Sequence, residues 1–455
     1  MKRIRFFSLF LVFTLFTGLV SAPAASALED PVIQSKAALL VDATTGSVIY
    51  AKNEHQELYP ASLTKIMTAL LVLEAVDSGQ LSLDQTLTAS RTAMTTGLDE
   101  EGSTAGILEG EVMSVEDYLN CMLVVSANEA CNVLAEAVSG SIDAFVEQMN
   151  ARAQALGCED THFVNPTGLH DPQHYTSAWD LYLITKEALT HDDFMRICDS
   201  GTVTIPATNL SEARTLHTTN YLIDGWRSRG YMNSDAHGIK TGSTSDAGHC
   251  LVSSAVRGSL SLISVVLGGD RVTLEDGEIR TYSFYDTNVL FDWAFDNLSY
   301  QTVLTELDFI QEVEVDLSRE VNYVTVHPAQ DVELLLPNGT DPAALERTVT
   351  LQEPVEAPIT AGQELGTLTL SLDGEALTTV PLLASNDVEA STLLTFWKNV
   401  KDFFSRTAVR VVCIVLLVLV LALVGWKLVF GRRRYRYGHS VSRRRGGGYR
   451  GRRRR

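Results

Sequence analysis

The spacing of apolar positions changes several times along the chain, and each change marks a different kind of element. A nearly unbroken apolar run over residues 6–20 follows Lys2, Arg3 and Arg5 and precedes Ala25, Ser26 and Ala27. A basic start, an apolar middle and small residues at the end form a secretory signal over residues 1–27, with an uncleaved anchor as the alternative. Residues 38–41 and 48–50 are strand-like, and Ala43-Thr44-Thr45-Gly46 between them predicts a hairpin. Helical spacing then dominates, over residues 63–75, 115–124, 129–138, 142–155 and 179–189. Strand-like runs return at 237–240, 249–256 and 260–267, the last two joined by Arg257-Gly258-Ser259. Strands at both ends with helices between predict an α/β (α+β) domain over residues 28–297, with one sheet closed by both ends and a helical lobe inserted.

The texture changes after residue 298. Short β-like runs at 313–315, 324–326, 332–335, 348–351 and 365–372, punctuated by Gly, Pro and Asp, predict a small all-β domain over residues 298–385. No catalytic constellation is visible in it. Residues 386–408 form a juxtamembrane segment. Its candidates for a lipid-facing side are Leu393, Leu394, Phe396, Trp397, Val400, Phe403 and Phe404, and a plain helical linker is the alternative. Residues 409–430 are apolar except for Arg410 and Lys427, long enough for a single transmembrane helix, and show no polar face. Residues 431–455 hold twelve arginines and no acid, which places this tail on the cytoplasmic side and everything before the span outside. Anionic lipid and topology explain the tail more simply than a nucleic-acid arm does.

Charge sharpens that division. All 56 acids lie between the two apolar ends, about three for every base there. So acidic a body repels polyanions, which argues against nucleic acid as a partner. Of six cysteines, Cys413 falls in the span, leaving Cys121, Cys131, Cys158, Cys198 and Cys250. An odd number without tight spacing is no disulfide framework; most are expected as buried thiols, and one bridged pair stays open. His170 and His174 fall in a loop, not at metal-ligand spacing on a helix, so no metal or other cofactor is expected.

Three short motifs carry the chemistry: Ser62-Leu63-Thr64-Lys65, Ser126-Ala127-Asn128 and Lys240-Thr241-Gly242. Lysine is scarce, nine in 455 residues, and two of the nine stand inside these motifs. At a helix start, positions i and i+3 share a face, so Ser62 and Lys65 point into one space. A serine hydroxyl becomes a nucleophile when a base takes its proton, and burial with a second cation such as Lys240 lowers a lysine toward that task. Backbone N–H groups at the helix start are aimed to stabilise an oxyanion. For the single motif, an N-cap followed by a solvated lysine is the plainer alternative. Ser126 and Asn128 break an apolar helical region, where Ser126 either caps the next helix or shuttles a proton, and Asn128 would hold a substrate amide. Lys240 and Thr241 suit a substrate carboxylate, and Gly242 lets a substrate backbone lie close.

These residues resemble the serine D-alanyl-D-alanine carboxypeptidases, the low-molecular-weight penicillin-binding proteins. The similarity extends to Pro60-Ala61 before Ser62, Ser114-Val115-Glu116-Asp117, Phe163-Val164-Asn165-Pro166-Thr167-Gly168-Leu169, and Ser243-Thr244 with Gly248. The resemblance implies a penicillin-binding-protein/β-lactamase-like catalytic fold. It also implies acylation of Ser62 with Lys65 as base, and protonation of the departing D-alanine by Ser126. Asn128 would bind the stem-peptide amide, and Lys240 and Thr241 the terminal carboxylate. The backbone N–H groups of Ser62 and Ser243 would form the oxyanion hole. Peptidoglycan stem peptides become the expected substrates, β-lactams covalent inhibitors, and the bacterial cell membrane the location. Alanine at position 127, where glycine is common, and the long apolar span are departures. A β-lactamase is one alternative, but no Glu-x-x-x-Asn stands between the second and third motifs. A silent wall-binding or β-lactam-sensing protein is the other.

Overall fold

Strand β1 (Ala37–Asp42) is buried along its whole length, so both of its faces need cover. The computed structural model of the chain, which describes residues 28–99, 102–227, 230–319 and 321–430, supplies it. The signal segment and the arginine-rich tail lie outside the described residues. The chain divides into two compact units. One holds residues up to Gln301 together with Glu333–Pro342, and the other holds Thr302–Val332 and the residues from Ala343 onward.

In the first unit, β1 pairs with β2 (Val48–Lys52) in an antiparallel five-stranded sheet. The sheet continues through β3 (Ala236–Thr244), β4 (Gly248–Arg257) and β5 (Leu260–Gly269), in the order β2-β1-β5-β4-β3. Both ends of the domain therefore meet in one sheet, as their strand-like runs predicted. Successive β1 side chains point to opposite faces. Leu39 and Val41 join one core with α1 (Lys65–Asp77), α2 (Val115–Val124), α3 (Asn128–Ser139), α4 (Ile142–Ala155) and α5 (Ala178–Ala188). Ala38 and Leu40 join a second core with Leu290, Phe291 and Ala294 of α6 (Tyr282–Asn297). Apolar residues surround α1, ten of whose thirteen residues are buried, as its place at the centre of the lobe requires.

One local start differs from the sequence expectation in an instructive way. The helix expected from residue 63 opens instead with a single 3-10 turn, Ala61–Thr64, and becomes α-helical at Lys65. Helix α2 begins with a capping box in which Ser114 and Asp117 satisfy each other's backbone N–H groups.

The second unit contains a five-stranded antiparallel sheet. Its strands are β6 (Gln311–Glu314), β7 (Tyr323–Pro328), β8 (Glu346–Leu351), β9 (Glu364–Leu372) and β10 (Glu375–Ala384), in the order β6-β7-β10-β9-β8. The run expected over residues 332–335 does form a strand, Val332–Pro337, but it stands outside this sheet. Helix α7 (Thr392–Ser405), capped by Ser391, exposes Leu393, Phe396, Trp397, Phe403 and Phe404, and Lys398 pairs with Glu356. Helix α8 (Thr407–Phe430) is the one helix among the described residues long and apolar enough to cross a membrane.

Candidate active site

The tight geometry of a 3-10 turn stacks residues i and i+3 directly over one another. Ser62 lies within such a turn and Lys65 follows it, which leaves Lys65 Nζ 2.8 Å from Ser62 Oγ. Lys65 is fully buried, and its other two contacts are Asn128 Oδ1 at 2.8 Å and the Thr167 carbonyl at 2.7 Å. Both of those oxygens only accept hydrogen bonds. A neutral Lys65 amine therefore gives its two N–H bonds to them and turns its lone pair to the Ser62 hydroxyl. Burial pushes the Lys65 pKa below its ordinary value, opposed by Cys131 and Glu129. Lys240 is pushed down to about 7, by burial first and then by the charge of Lys65. The pressure of a second cation, expected on Lys65, is thus felt at Lys240.

The turn is held from outside by a loop. Asn165 Oδ1 accepts from the Thr167 N–H (3.2 Å), the Thr167 hydroxyl (2.9 Å) and the Gly168 N–H (2.7 Å), which aims the Thr167 carbonyl at Lys65. Gly168 has φ +83°, and a Cβ there would sit 1.8 Å from the Ala61 carbonyl oxygen, so only glycine fits. Ala61 itself has φ +47°, a strained backbone for a residue with a side chain, immediately before the nucleophile candidate. His174 completes the brace. Its Nδ1 accepts from the Val164 N–H at 3.1 Å, so its Nε2–H donates to Thr64 Oγ1 at 2.8 Å, and Thr64 donates in turn to the Ala61 carbonyl at 2.8 Å. Burial lowers the His174 pKa to about 4, which keeps the ring neutral. Sequence reasoning assigned no bracing role to Asn165, Thr167 or His174; the first two stood only within the Phe163–Leu169 motif, and His174 only as a loop histidine away from metal-ligand spacing.

Ser126 occupies the break between α2 and α3 with φ +66°, buried, its Oγ bonded to no protein group. The capping alternative fails: the N-cap of α3 is Ala127, and Ser126 bonds no helix N–H. A buried hydroxyl without a partner is costly, so its retention fits a group awaiting substrate. The Asn128 N–H donates to the Ser103 carbonyl at 2.9 Å. Buried Glu129 accepts from Thr104 Oγ1 (2.6 Å) and the Ala105 N–H (2.8 Å), which pins the same loop beside the site.

Strand β3 forms the opposite wall. A Cβ on Gly242 would lie 2.7 Å from the Pro60 carbonyl and 3.1 Å from the Ser62 nitrogen, so glycine allows the strand to lie against the nucleophile turn. Thr241 Oγ1 is 2.6 Å from Thr219 Oγ1, while Lys240 Nζ donates to the Thr241 carbonyl at 2.9 Å. Ser62, Ser126, Thr241, Gly242 and Ser243 line one cavity of about 400 Å³. Lys65, Asn128 and Lys240 are buried and stand outside its lining. The cysteines are all free, including Cys250 on the cavity wall, so the open possibility of a bridge is not realised.

A nucleophile–lysine pair, an unpartnered serine and a Lys-Thr-Gly strand on one cavity define a penicillin-recognising serine enzyme. Residues 24–271 match the family model "D-alanyl-D-alanine carboxypeptidase", and residues 304–390 match "Penicillin-binding protein 5, C-terminal domain". D-alanyl-D-alanine carboxypeptidase DacF of Bacillus subtilis is 32% identical over 86% of this chain and 97% of its own. DacC of Escherichia coli is 31% identical over 84% of this chain and 90% of its own. The crystal structure of penicillin binding protein 5 from Haemophilus influenzae superposes with a TM-score of 0.60 at 29% identity, covering 79% of this chain and 99% of that one. The chain belongs to the D-alanyl-D-alanine carboxypeptidase family, serine-type peptidases among the penicillin-binding proteins.

Proposed function

We propose that Ser62 Oγ attacks the carbonyl of the penultimate D-alanine of a peptidoglycan pentapeptide stem as Lys65 Nζ takes its proton. The scissile C–N bond breaks as Ser126 delivers a proton to the leaving amine, and D-alanine departs. Water then hydrolyses the Ser62 ester and restores the hydroxyl. The backbone N–H groups of Ser62 and Ser243 stabilise the oxyanion in both halves. Asn128 presents its Nδ2 to the stem-peptide amide while its Oδ1 orients Lys65. Thr241, backed by Lys240, receives the terminal carboxylate, and Gly242 gives the substrate backbone room. A β-lactam enters the same sequence and stops at the acyl-enzyme. Helix α8 anchors the enzyme by a single pass through the bacterial membrane, with the catalytic unit outside and the arginine-rich tail in the cytoplasm.

The observation that carries this reading is the three-way environment of Lys65 Nζ, which as a free amine can only accept from Ser62. The test is D-alanine release from an N-acyl peptide ending in D-Ala-D-Ala. Ser62→Ala is expected to release none above background. Release at the wild-type rate would refute the assignment of the nucleophile.

A further inference from the structure

A second cavity, of about 230 Å³, adjoins the first. Cys250 belongs to the wall between them. It lines the catalytic cavity, and its Sγ stands 3.9 Å from the Tyr59 carbonyl and 3.8 Å from the Ala247 carbonyl, both residues of the second. Backbone bonds between Leu58 and Thr176 in both directions (2.8 and 2.9 Å) bring Tyr59 and Tyr175 opposite each other, and both line the cavity. Charge of both signs meets there. Lys36 is exposed and enters no ion pair among the described residues. Its stem runs against bare backbone, since a Cβ on Gly268 would come within 2.7 Å of Lys36 Cδ. Its charge reaches the shared wall: burial raises the Cys250 thiol to about 11, against the Gly268 N–H and Lys36. Asp246 lines the same space. Ser245 Oγ donates to its Oδ2 at 3.0 Å and His170 Nδ1 stands 4.0 Å from that atom, which leaves Oδ1 for a ligand. Glu57 adds a second carboxylate to the lining.

The direction of the substrate leads to this space. With the terminal carboxylate at Thr241 and the scissile carbonyl at the Ser243 N–H, the stem runs along β3 toward its last residue, Thr244, at about 3.3 Å per residue. The chain then turns through Ser245 and Asp246, a turn closed by the Ala247 N–H donating to Thr244 Oγ1 at 3.0 Å. The stem residue before the two D-alanines would therefore arrive beside Asp246 and Ala247. We propose that the second cavity is the subsite for that residue's side chain, and that it selects a side chain ending in an ammonium and a carboxylate on one carbon. Lys36 meets the carboxylate and Asp246 the ammonium, with the Tyr59 and Tyr175 rings along the aliphatic arm. The inference rests on the proposed roles of Ser62, Thr241 and Ser243. A side chain with an amine alone leaves Lys36 facing its own sign, and one with a carboxylate alone meets Asp246 and Glu57. Only the paired ending satisfies both.

The test compares D-alanine release from three N-acyl peptides X-D-Ala-D-Ala, in which X is meso-2,6-diaminopimelate joined through its L centre, L-lysine or L-alanine. Measurements use wild type, Lys36→Gln, Lys36→Arg and Asp246→Asn. Charge-assisted contacts in a half-open cavity set the scale, roughly 5- to 20-fold in kcat/KM for each. Wild type should prefer the diaminopimelate peptide to the other two by that factor or more. Lys36→Gln should bring the diaminopimelate and lysine peptides to one level, and Lys36→Arg should recover most of the preference. Asp246→Asn should lower both of these peptides, and all three variants should leave the alanine peptide unchanged. Equal rates on the three peptides in wild type would overturn the proposal. So would variants that change nothing, or that lose equally on all three peptides and so mark a merely structural role. The catalytic reading fails separately, by undiminished D-alanine release from Ser62→Ala.

Discussion

Single side chains divide the labour by what they lack as much as by what they hold. Ser126 Oγ has no protein partner, so its removal breaks no hydrogen bond in the resting fold. Ser126→Ala should therefore leave the Tm within about a degree and lower kcat by roughly 10²- to 10⁴-fold, the usual range for a lost proton-transfer group; a Tm loss matching the activity loss would contradict this role. Lys240 presents the reverse case. Its pKa is lowered to about 7 from 10.5, so at neutral pH the fold carries a buried amine that resists its charge. As pH rises between those values the unfolded chain keeps the proton and the folded one sheds it, so this group's contribution to stability increases with pH. Lys240→Met should consequently abolish efficient turnover yet raise the Tm at pH 7 by about 3 °C or more, since 1 kcal/mol corresponds to about 2–4 °C in a domain of this size. Calorimetry of the two proteins checks it; a lower Tm in the variant would mean the lysine stabilises the fold. The motif serines, lysines and threonine were legible in the sequence because few lysines exist and their spacing is short. The roles of Thr167 and His174 were not, since each acts through a fold contact that no local spacing records.

At the scale of elements, the decisive device is the 3-10 turn Ala61–Thr64 wedged between a loop and a strand. Gly168 presses it from one side and Gly242 from the other, each at a distance that excludes a Cβ. Gly168→Ala should displace the turn and cut kcat at least about 100-fold, because misplacement of a nucleophile by an ångström has that effect. Kinetics with a soluble peptide decide it, and near-normal turnover would show the turn to be set elsewhere. The His174 brace adds a pH dependence. The folded ring holds its proton only below about 4, whereas its ordinary value is 6.5. Stability from this group is present above pH 6.5 and is lost as pH falls toward 4, by up to about 3 kcal/mol. His174→Gln keeps one donor and one acceptor, so its Tm should fall less between pH 7 and pH 4.5 than that of wild type; parallel curves would exclude the brace. Most elements could be read from apolar spacing, and several bounds match to the residue, as at Val115–Val124 and Ile142–Ala155. Helix α6 escaped because Tyr, Ser, Asp and Asn interrupt its apolar face, and its role as cover for the sheet appears only once β1 is seen to be buried on both sides.

The whole molecule joins chemistry to a surface. The catalytic cavity depends on residues of the first unit alone, while the apolar helices lie in the second. A protein ending at residue 390 should therefore partition into the aqueous fraction and keep its kcat/KM on a soluble peptide, whereas the full chain should require detergent. Fractionation and kinetics together test this, and loss of activity on truncation would show that the distal helices support the site. The account as a whole stands on the identity of the acylated atom. Its most direct test is mass spectrometry of the intact protein after benzylpenicillin, followed by peptide mapping. One adduct, confined to the peptide that contains Ser62 and absent from Ser62→Ala, is the predicted result. An adduct on any other peptide, or equal labelling of the Ser62→Ala protein, would contradict it.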